Sequence, residues 1–355
     1  MKERLTKRLN RIKAPAMSLI YRKIAGLDEF KGRFNAEKGF SRTVLGRLKR
    51  TAVITSAGAS TRIEGSKLSD NQVKEVLRDI KISKLIDRDS QEVAGYADVI
   101  NTVFDSYDHI KVSENQVLGL HKMLLNYSKK DAHHKGKYKN SSNSVIARDG
   151  NGKESVIFNP TEPFLTPIEM KELFEWLKKA EEKDLFHPLL LIANFVLEFL
   201  SIHPFQDGNG RLSRALTTLL MLKYGYSYVQ YSSVEKIIEG NKSAYYIALR
   251  ESQKNRKKSN EDITPWLVFF FDVLSKQVEV INKLVSNSTN EDLLSENQTR
   301  VLGLFDSHAK VTNKIVVDLT GIGRETATQV LNRLLELKFI RRTGSGRSTA
   351  YENVK

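Results

Sequence analysis

The chain has 355 residues, 40% hydrophobic and 28% charged, so it carries enough apolar mass for a real core, and its length suits two domains. It has no cysteine, which excludes disulfide frameworks, Cys-ligated zinc, iron–sulfur clusters and thiol nucleophiles. Net charge is +15: +11 lies in residues 1–50 (15 Lys/Arg against 4 Asp/Glu) and +4 in 295–355 (10 against 6), leaving 51–294 neutral. Such basic ends either solvate helix faces or meet a polyanion such as nucleic acid.

The basic residues 1–50 read as one or two amphipathic helices, followed by helical segments over 51–82 that break near Gly58 and Gly65. The only apolar stretch near the N-terminus, 14–20, carries a proline and offers no secretory core. Helices follow over 90–108 and 113–129, the second opened by Ser113 as an N-cap. Residues 135–160 change character: two short β-type runs flank Asp149-Gly150-Asn151-Gly152, a hairpin signal. Thr166-Pro167 opens a helix to about residue 183, and His187-Pro188 opens the most apolar one. That apolar run, 189–200, is broken by Asn194 and Glu198 and falls short of the ~20 residues of a membrane span. A cytoplasmic protein without membrane contact is expected. Residues 201–210 read as a loop, with helices at 211–224, 241–252 and 264–285 beyond it. A polar linker at 286–294 precedes three short helices and a hairpin in 295–355, the plan of a winged helix-turn-helix.

The chemistry concentrates in residues 203–214, which read His-Pro-Phe-Gln-Asp-Gly-Asn-Gly-Arg-Leu-Ser-Arg. Gly208 and Gly210 sit where a loop enters a helix, so backbone N–H groups and the helix dipole make an anion site there. Arg211 and Arg214, three apart on one helix face, suit phosphate oxygens, although two arginines so spaced also make an ordinary solvated face. Asp207, the loop's single acid, suits Mg²⁺ beside phosphates. His203 is the natural base for a hydroxyl nucleophile.

This segment resembles the Fic family signature, His-x-Phe-x-Asp-Gly-Asn-Gly-Arg-x-x-Arg, at every defining position. The resemblance extends over roughly 90–280 and implies a mainly α fold, a helical bundle with a β-hairpin flap at about 135–160. It also implies transfer of AMP from ATP to a Ser, Thr or Tyr hydroxyl of a target protein. In that reading His203 deprotonates the hydroxyl and Asp207 holds Mg²⁺. Asn209 and the backbone of Gly208 and Gly210 bind phosphate oxygens, Arg211 and Arg214 grip the β/γ end, and Phe205 anchors the loop. The flap would lay the target's strand beside the site, with Asn143, Ser144, Val145 and Ile146 facing the nucleotide; the alternative is an ordinary exposed hairpin. Tyr245 and Tyr246 resemble the family's adenine-side pair, or are helical core aromatics, and Asn260 would reach the base.

Upstream, Ser60-Thr61-Arg62-Ile63-Glu64-Gly65 fits the Ser/Thr-x-x-x-Glu-Gly/Asn inhibitory motif of many Fic proteins. Ser60 and Glu64 share a helix face, and the Glu64 carboxylate can pair with Arg214. The competing reading is a capping box on Thr61 and Glu64. The domains expected are therefore an N-terminal helical region (1–89), a catalytic domain (90–285), the linker and the winged module. In the last, Arg324, Thr328, Gln329 and Arg333 could face a groove and Arg341, Arg342 and Arg347 a wing, or the module docks protein; a homodimer stays open. Two alternatives stand beside the adenylyltransferase: a nucleotide-sensing DNA-binding regulator, and a Fic enzyme with another transfer (a different NMP, phosphate, or AMP removal).

Overall fold

A computed structural model describes residues 1–37, 42–78, 85, 87–143, 145–148, 154–291, 294–344 and 346–354. Contacts divide the chain into two compact units, Met1–Lys38 with Leu48–Ile281, and Gly39–Arg47 with Asn282–Lys355. Among the described residues no helix is long and apolar enough to cross a membrane.

The chain up to residue 291 is mainly helical, its first helices being α1 (Lys2–Asn10), α2 (Ala14–Ala36), α3 (Arg42–Ile63), α4 (Asp70–Arg78), α5 (Arg88–Ser106) and α6 (Glu114–Leu124). The hairpin of β1 (Val145–Arg148) and β2 (Glu154–Phe158) interrupts them, before α7 (Thr166–Glu182), α8 (Pro188–Ile202), α9 (Asn209–Lys223), α10 (Val234–Glu239), α11 (Lys242–Gln253) and α12 (Thr264–Glu291). The hairpin is antiparallel, pairing Val145 with Phe158 and Arg148 with Glu154, with a register shift after Val145. The turn expected at 149–152 lies outside the described residues.

Helix α8 is the axis of the core. Every residue from Leu189 to Ile202 is buried, as expected for a helix apolar all round, and α7 and α9 pack against it. Two of its polar positions, Asn194 and Glu198, are satisfied largely from α1. Arg8, 2% exposed, donates to Asn194 Oδ1 at 2.6 Å and to Glu198 Oε2 at 2.6 Å, while Arg4 and Arg256 reach the other Glu198 oxygen. Burial would raise the Glu198 carboxyl, but the Arg256, Arg8 and Arg4 guanidiniums hold it far below the usual carboxylate range. The N-terminal helix is thus keyed into the core by charge.

Three elements depart from expectation. Helix α3 runs through Gly58 unbroken; a Cβ there would lie 2.8 Å from Arg62 Nη1 and 3.2 Å from Val73 Cγ2, so this glycine makes room for packing. It ends as expected at Gly65, in the left-handed region at φ 113°. Helix α8 extends through Ser201 and Ile202, shortening the loop read at 201–210. Most of the linker read at 286–294 is helix, because α12 carries on to Glu291, and the division between units falls at 281/282. Asn and Ser are weak helix formers, yet a helix already propagating adds one hydrogen bond per residue fixed.

The second unit holds α13 (Glu296–Gly303), α14 (Asn313–Thr320), α15 (Arg324–Glu336) and the hairpin of β3 (Ile340–Thr343) and β4 (Ala350–Asn353). Its own core gathers Val301, Val316, Leu331, Leu334 and Ile340. Val311 bridges to Tyr351, adding a third short edge to the hairpin. Gly321 closes α14 at φ 72°, the tight turn a helix-turn-helix needs.

Candidate active site

The catalytic turn exists because α8 stops abruptly. His203 takes the left-handed conformation (φ 52°, ψ 62°) as the C-cap, its N–H bonded to the Phe199 carbonyl at 2.9 Å, and Pro204 forbids continuation. Five residues on, Gly208 at φ 82° is the N-cap of α9. Between them the Asn209 carboxamide clasps Phe205, accepting from its N–H (2.9 Å) and donating to its carbonyl (2.7 Å). Phe205 is fully buried and stacks on His121, ring centroids 3.7 Å apart at 12°.

His121 also fixes the acid. Gly136 N–H donates to His121 Nδ1 at 2.9 Å, so Nε2 carries the proton and donates to the Asp207 carbonyl at 3.0 Å. Asp207 Oδ2 accepts from Arg211 (2.9 Å) and from Arg88 (3.0 Å). Burial would raise the Asp207 carboxyl; Arg211, the Gly208 N–H and Arg88 outweigh it and hold it low, hence ionised. Arg211, 1% exposed, also pairs with Glu92 at 3.3 Å.

Arg214 meets the C-terminal turn of α3. Its Nε donates to Ser60 Oγ, and its Nη2 donates to the Ser60 carbonyl and to Glu64 Oε1, each at 2.9 Å. Burial opposes the charge on Arg214, but Glu64 raises its pKa above the usual value. Glu64 lies against Gly210, where a Cβ would sit 2.2 Å from Glu64 Oε1. Only a glycine leaves space for the carboxylate.

Ile63, Phe158, Gln206, Lys242 and Leu249 help to line a cleft of about 800 Å³, whose lining does not include Arg214. His203, Asp207, Gly208, Asn209, Gly210, Arg211, Tyr245, Tyr246 and Glu64 all face it. Tyr246 donates to the Ile63 carbonyl at 3.2 Å, tying α11 to the end of α3. The His203 imidazole is pushed down to about 4, by burial first and then by the Lys139 ammonium, against the opposite pull of Glu64 and Asp207. It is therefore neutral near pH 7 and able to accept a proton.

Some expected contacts are not brought together. Asn260 is exposed in the loop between α11 and α12 and does not line the cleft; its neighbour Glu261 turns to Arg4 and Arg8. Asn209 spends its side chain on the loop itself. Asn143 does not line the cleft; it donates to the His203 and Phe205 carbonyls at 3.3 and 2.7 Å. Ser144 lies outside the described residues, and Val145 and Ile146 are described as backbone only. Conversely, Arg88, Glu92, His121 and Lys139 were not anticipated. Glu64 follows the last residue of α3 and pairs with Arg214, so the capping box on Thr61 and Glu64 is not formed.

A helical bundle around an apolar helix, with a glycine-rich turn at one end and a hairpin strand at the cleft, is the Fic fold. Residues 111–221 match the family model described as Fic/DOC family, and the chain carries a Fic domain. A crystal structure of a Fic family protein from Desulfovibrio desulfuricans superposes with a TM-score of 0.61 at 23% identity, covering 96% of this chain and 97% of that one. Among curated relatives, protein adenylyltransferase Fic of Drosophila virilis is 26% identical over 294 residues, 81% of this chain and 55% of its own length. A probable protein adenylyltransferase of Aquifex aeolicus is 27% identical over 157 residues, 41% and 48% of the two chains. The chain thus spans about half the length of these relatives.

Proposed function

We propose that the chain is a protein adenylyltransferase, transferring AMP from ATP to a hydroxyl side chain of a protein target, and that Glu64 restrains it. The observation that carries this reading is that His203, Asp207 and the first turn of α9 line one cleft. The free N–H groups of the first turn of α9 point at an anion, and the helix dipole favours it. His203 takes the proton of the incoming hydroxyl as its oxygen attacks the α-phosphorus; the bond to the β-phosphate oxygen breaks and pyrophosphate leaves. Positioning and fixed positive charge supply most of the barrier reduction in such transfers.

Among the described residues no group of three acids or histidines could cage a metal; beside the start of α9 the cleft carries the Asp207 carboxylate, while that of Glu64 is paired with Arg214. A single ionised carboxylate fits magnesium, which completes its shell from phosphate oxygens and water. When bound with the nucleotide, magnesium neutralises phosphate charge. Arg211 orients the Asp207 carboxylate, and Arg214 is reserved for the terminal phosphate.

In the restrained state Arg214 is occupied by Glu64, so the triphosphate loses its anchor and the α-phosphorus falls out of line with the nucleophile. Misalignment of that kind costs orders of magnitude in rate. Labelled ATP incorporation is the test. His203→Ala should abolish transfer while ATP still binds, Glu64→Gly should raise it at least tenfold, and Arg214→Ala in the Glu64→Gly background should undo the gain. A Glu64→Gly protein no faster than the parent sinks the inhibitory reading.

The second unit supports a separate contact with DNA or protein. Arg324, Thr328 and Gln329 are exposed along α15, where a recognition helix presents its groove-facing residues.

A further inference from the structure

The segment leading into the hairpin grips the catalytic turn by its backbone. Four consecutive carbonyls accept from two residues: Ile202 from Lys139 Nζ (3.1 Å), His203 from Asn143 Nδ2 (3.3 Å), Pro204 from the Lys139 N–H (2.9 Å) and Phe205 from Asn143 Nδ2 (2.7 Å). Lys139 Nζ also donates to Asn143 Oδ1 at 2.8 Å, which locks the two side chains together. Ser141 Oγ adds a bond to Gln206 Oε1 at 3.0 Å, so the whole strip 139–143 lies along 202–206.

The turn needs such support. His203 sits in the left-handed region, a position that costs a non-glycine residue free energy unless its surroundings hold it. Helix termini also leave carbonyls without partners, and here the orphans are claimed by side chains from another part of the chain. Lys139 is only 4% exposed, an unusual place for an ammonium, and two carbonyl-type oxygens, those of Ile202 and the Asn143 carboxamide, stand in for water around its Nζ.

We propose that Lys139 and Asn143 are positioning residues that hold the His203 turn in its base-competent pose and couple it to the root of the hairpin. The proposal rests on His203 being the base. It assigns Asn143 to the turn and not to the nucleotide. Lys139 has a second effect: its charge, with burial, keeps the imidazole neutral, while Glu64 and Asp207 act in the opposite sense. Lys139 itself is drawn down to about 8 by burial, with Arg256 adding to the shift and Glu162 and Glu169 opposing it.

The test uses full-length protein carrying Glu64→Gly, with Lys139→Met, Lys139→Arg and Asn143→Ala added singly. AMP incorporation should show kcat falling about tenfold or more for Lys139→Met and Asn143→Ala, with the KM for ATP within about twofold of the parent and partial recovery in Lys139→Arg. In parallel, NMR of isotope-labelled histidine should find the His203 pKa raised by roughly one unit in Lys139→Met, the size of effect that one nearby charge exerts. In Asn143→Ala the His203 resonances should split or broaden as the turn loosens, with melting temperatures identifying any variant that is merely unfolded. A raised KM with kcat preserved in Asn143→Ala would place that residue on the nucleotide and overturn the assignment. Unchanged kcat and unchanged His203 resonances would overturn it too. If the Glu64→Gly parent transfers no AMP, the catalytic reading fails on its own, and the His203 resonances alone decide whether the turn is clamped.

Discussion

The contact between Glu64 and Arg214 depends on a third residue, Gly210, whose missing side chain makes space for the carboxylate. Gly210→Ala should push Glu64 aside, because the clashing atom is the end of a flexible and half-exposed side chain and not backbone. Thermal unfolding in a double-mutant cycle reads this: a coupling of about 1 kcal/mol between Gly210→Ala and Glu64→Gly is expected, since the clash disappears once Glu64 is gone. Strict additivity would mean that the carboxylate does not occupy that space. Two histidines carry a different signature. His121 and His203 are each pushed down from 6.5 to about 4, chiefly by burial. A folded-state pKa below the unfolded value means that the unfolded chain takes up protons first as pH falls. Stability is therefore full above about 6.5 and is lost as pH drops towards about 4. The melting temperature should decline across that window, and His121→Gln should flatten the decline even if it lowers the curve as a whole. A melting temperature constant from pH 7 to pH 4 contradicts the buried neutral imidazoles.

At the scale of elements, Arg62 ties the end of α3 to two other helices. Arg62 Nε donates to Glu239 on α10 at 2.5 Å, Nη2 to Asp70 on α4 at 2.8 Å, and Nη1 to the Leu68 carbonyl at 2.9 Å. Because Arg62 lies between Ser60 and Glu64, this three-way grip bears on the turn that presents the Glu64 carboxylate to Arg214. Arg62→Ala should raise basal AMP transfer several-fold, less than Glu64→Gly, with faster amide exchange at residues 60–66 as the helix end frays. Unaltered exchange there would show that the turn is held by other means. Sequence reading reached this helix end and its partner through resemblance to two family motifs, each a contiguous run: Ser60 to Gly65 and His203 to Arg214. It missed Arg62's latch, His121, Arg88 and Lys139, because a side chain whose partners lie on other elements leaves no period and no motif. For Asn143 the resemblance to the family's flap implied a nucleotide contact, whereas in the structure its carboxamide donates to the His203 and Phe205 carbonyls.

Across the whole molecule, the groups assigned to the cleft lie between Ile63 and Gln253, inside the first compact unit, while the second unit closes a core of its own. Two compact units with separate cores are expected to separate in function as well. A chain truncated after Glu291 should keep AMP transfer within about twofold of the full-length protein, and its loss would tie catalysis to the second unit. Charge decides what the second unit could hold. Arg333 is paired with Glu336 and Arg341 with Glu352, each at 2.9 Å, so part of the apparent surplus on α15 and the hairpin is already neutralised. Lys314, Arg324 and Arg342 remain exposed and suit about three phosphate contacts. With a slope near −0.9 per contact, affinity for a DNA duplex should fall roughly 40-fold between 50 and 200 mM salt, far less steeply than for a repressor that makes many phosphate contacts. Arg324→Ala should lower that slope by about one. A salt-independent interaction, or no DNA retention at 50 mM, would instead leave α15 as a protein-docking face, where the paired arginines act as a polar rim.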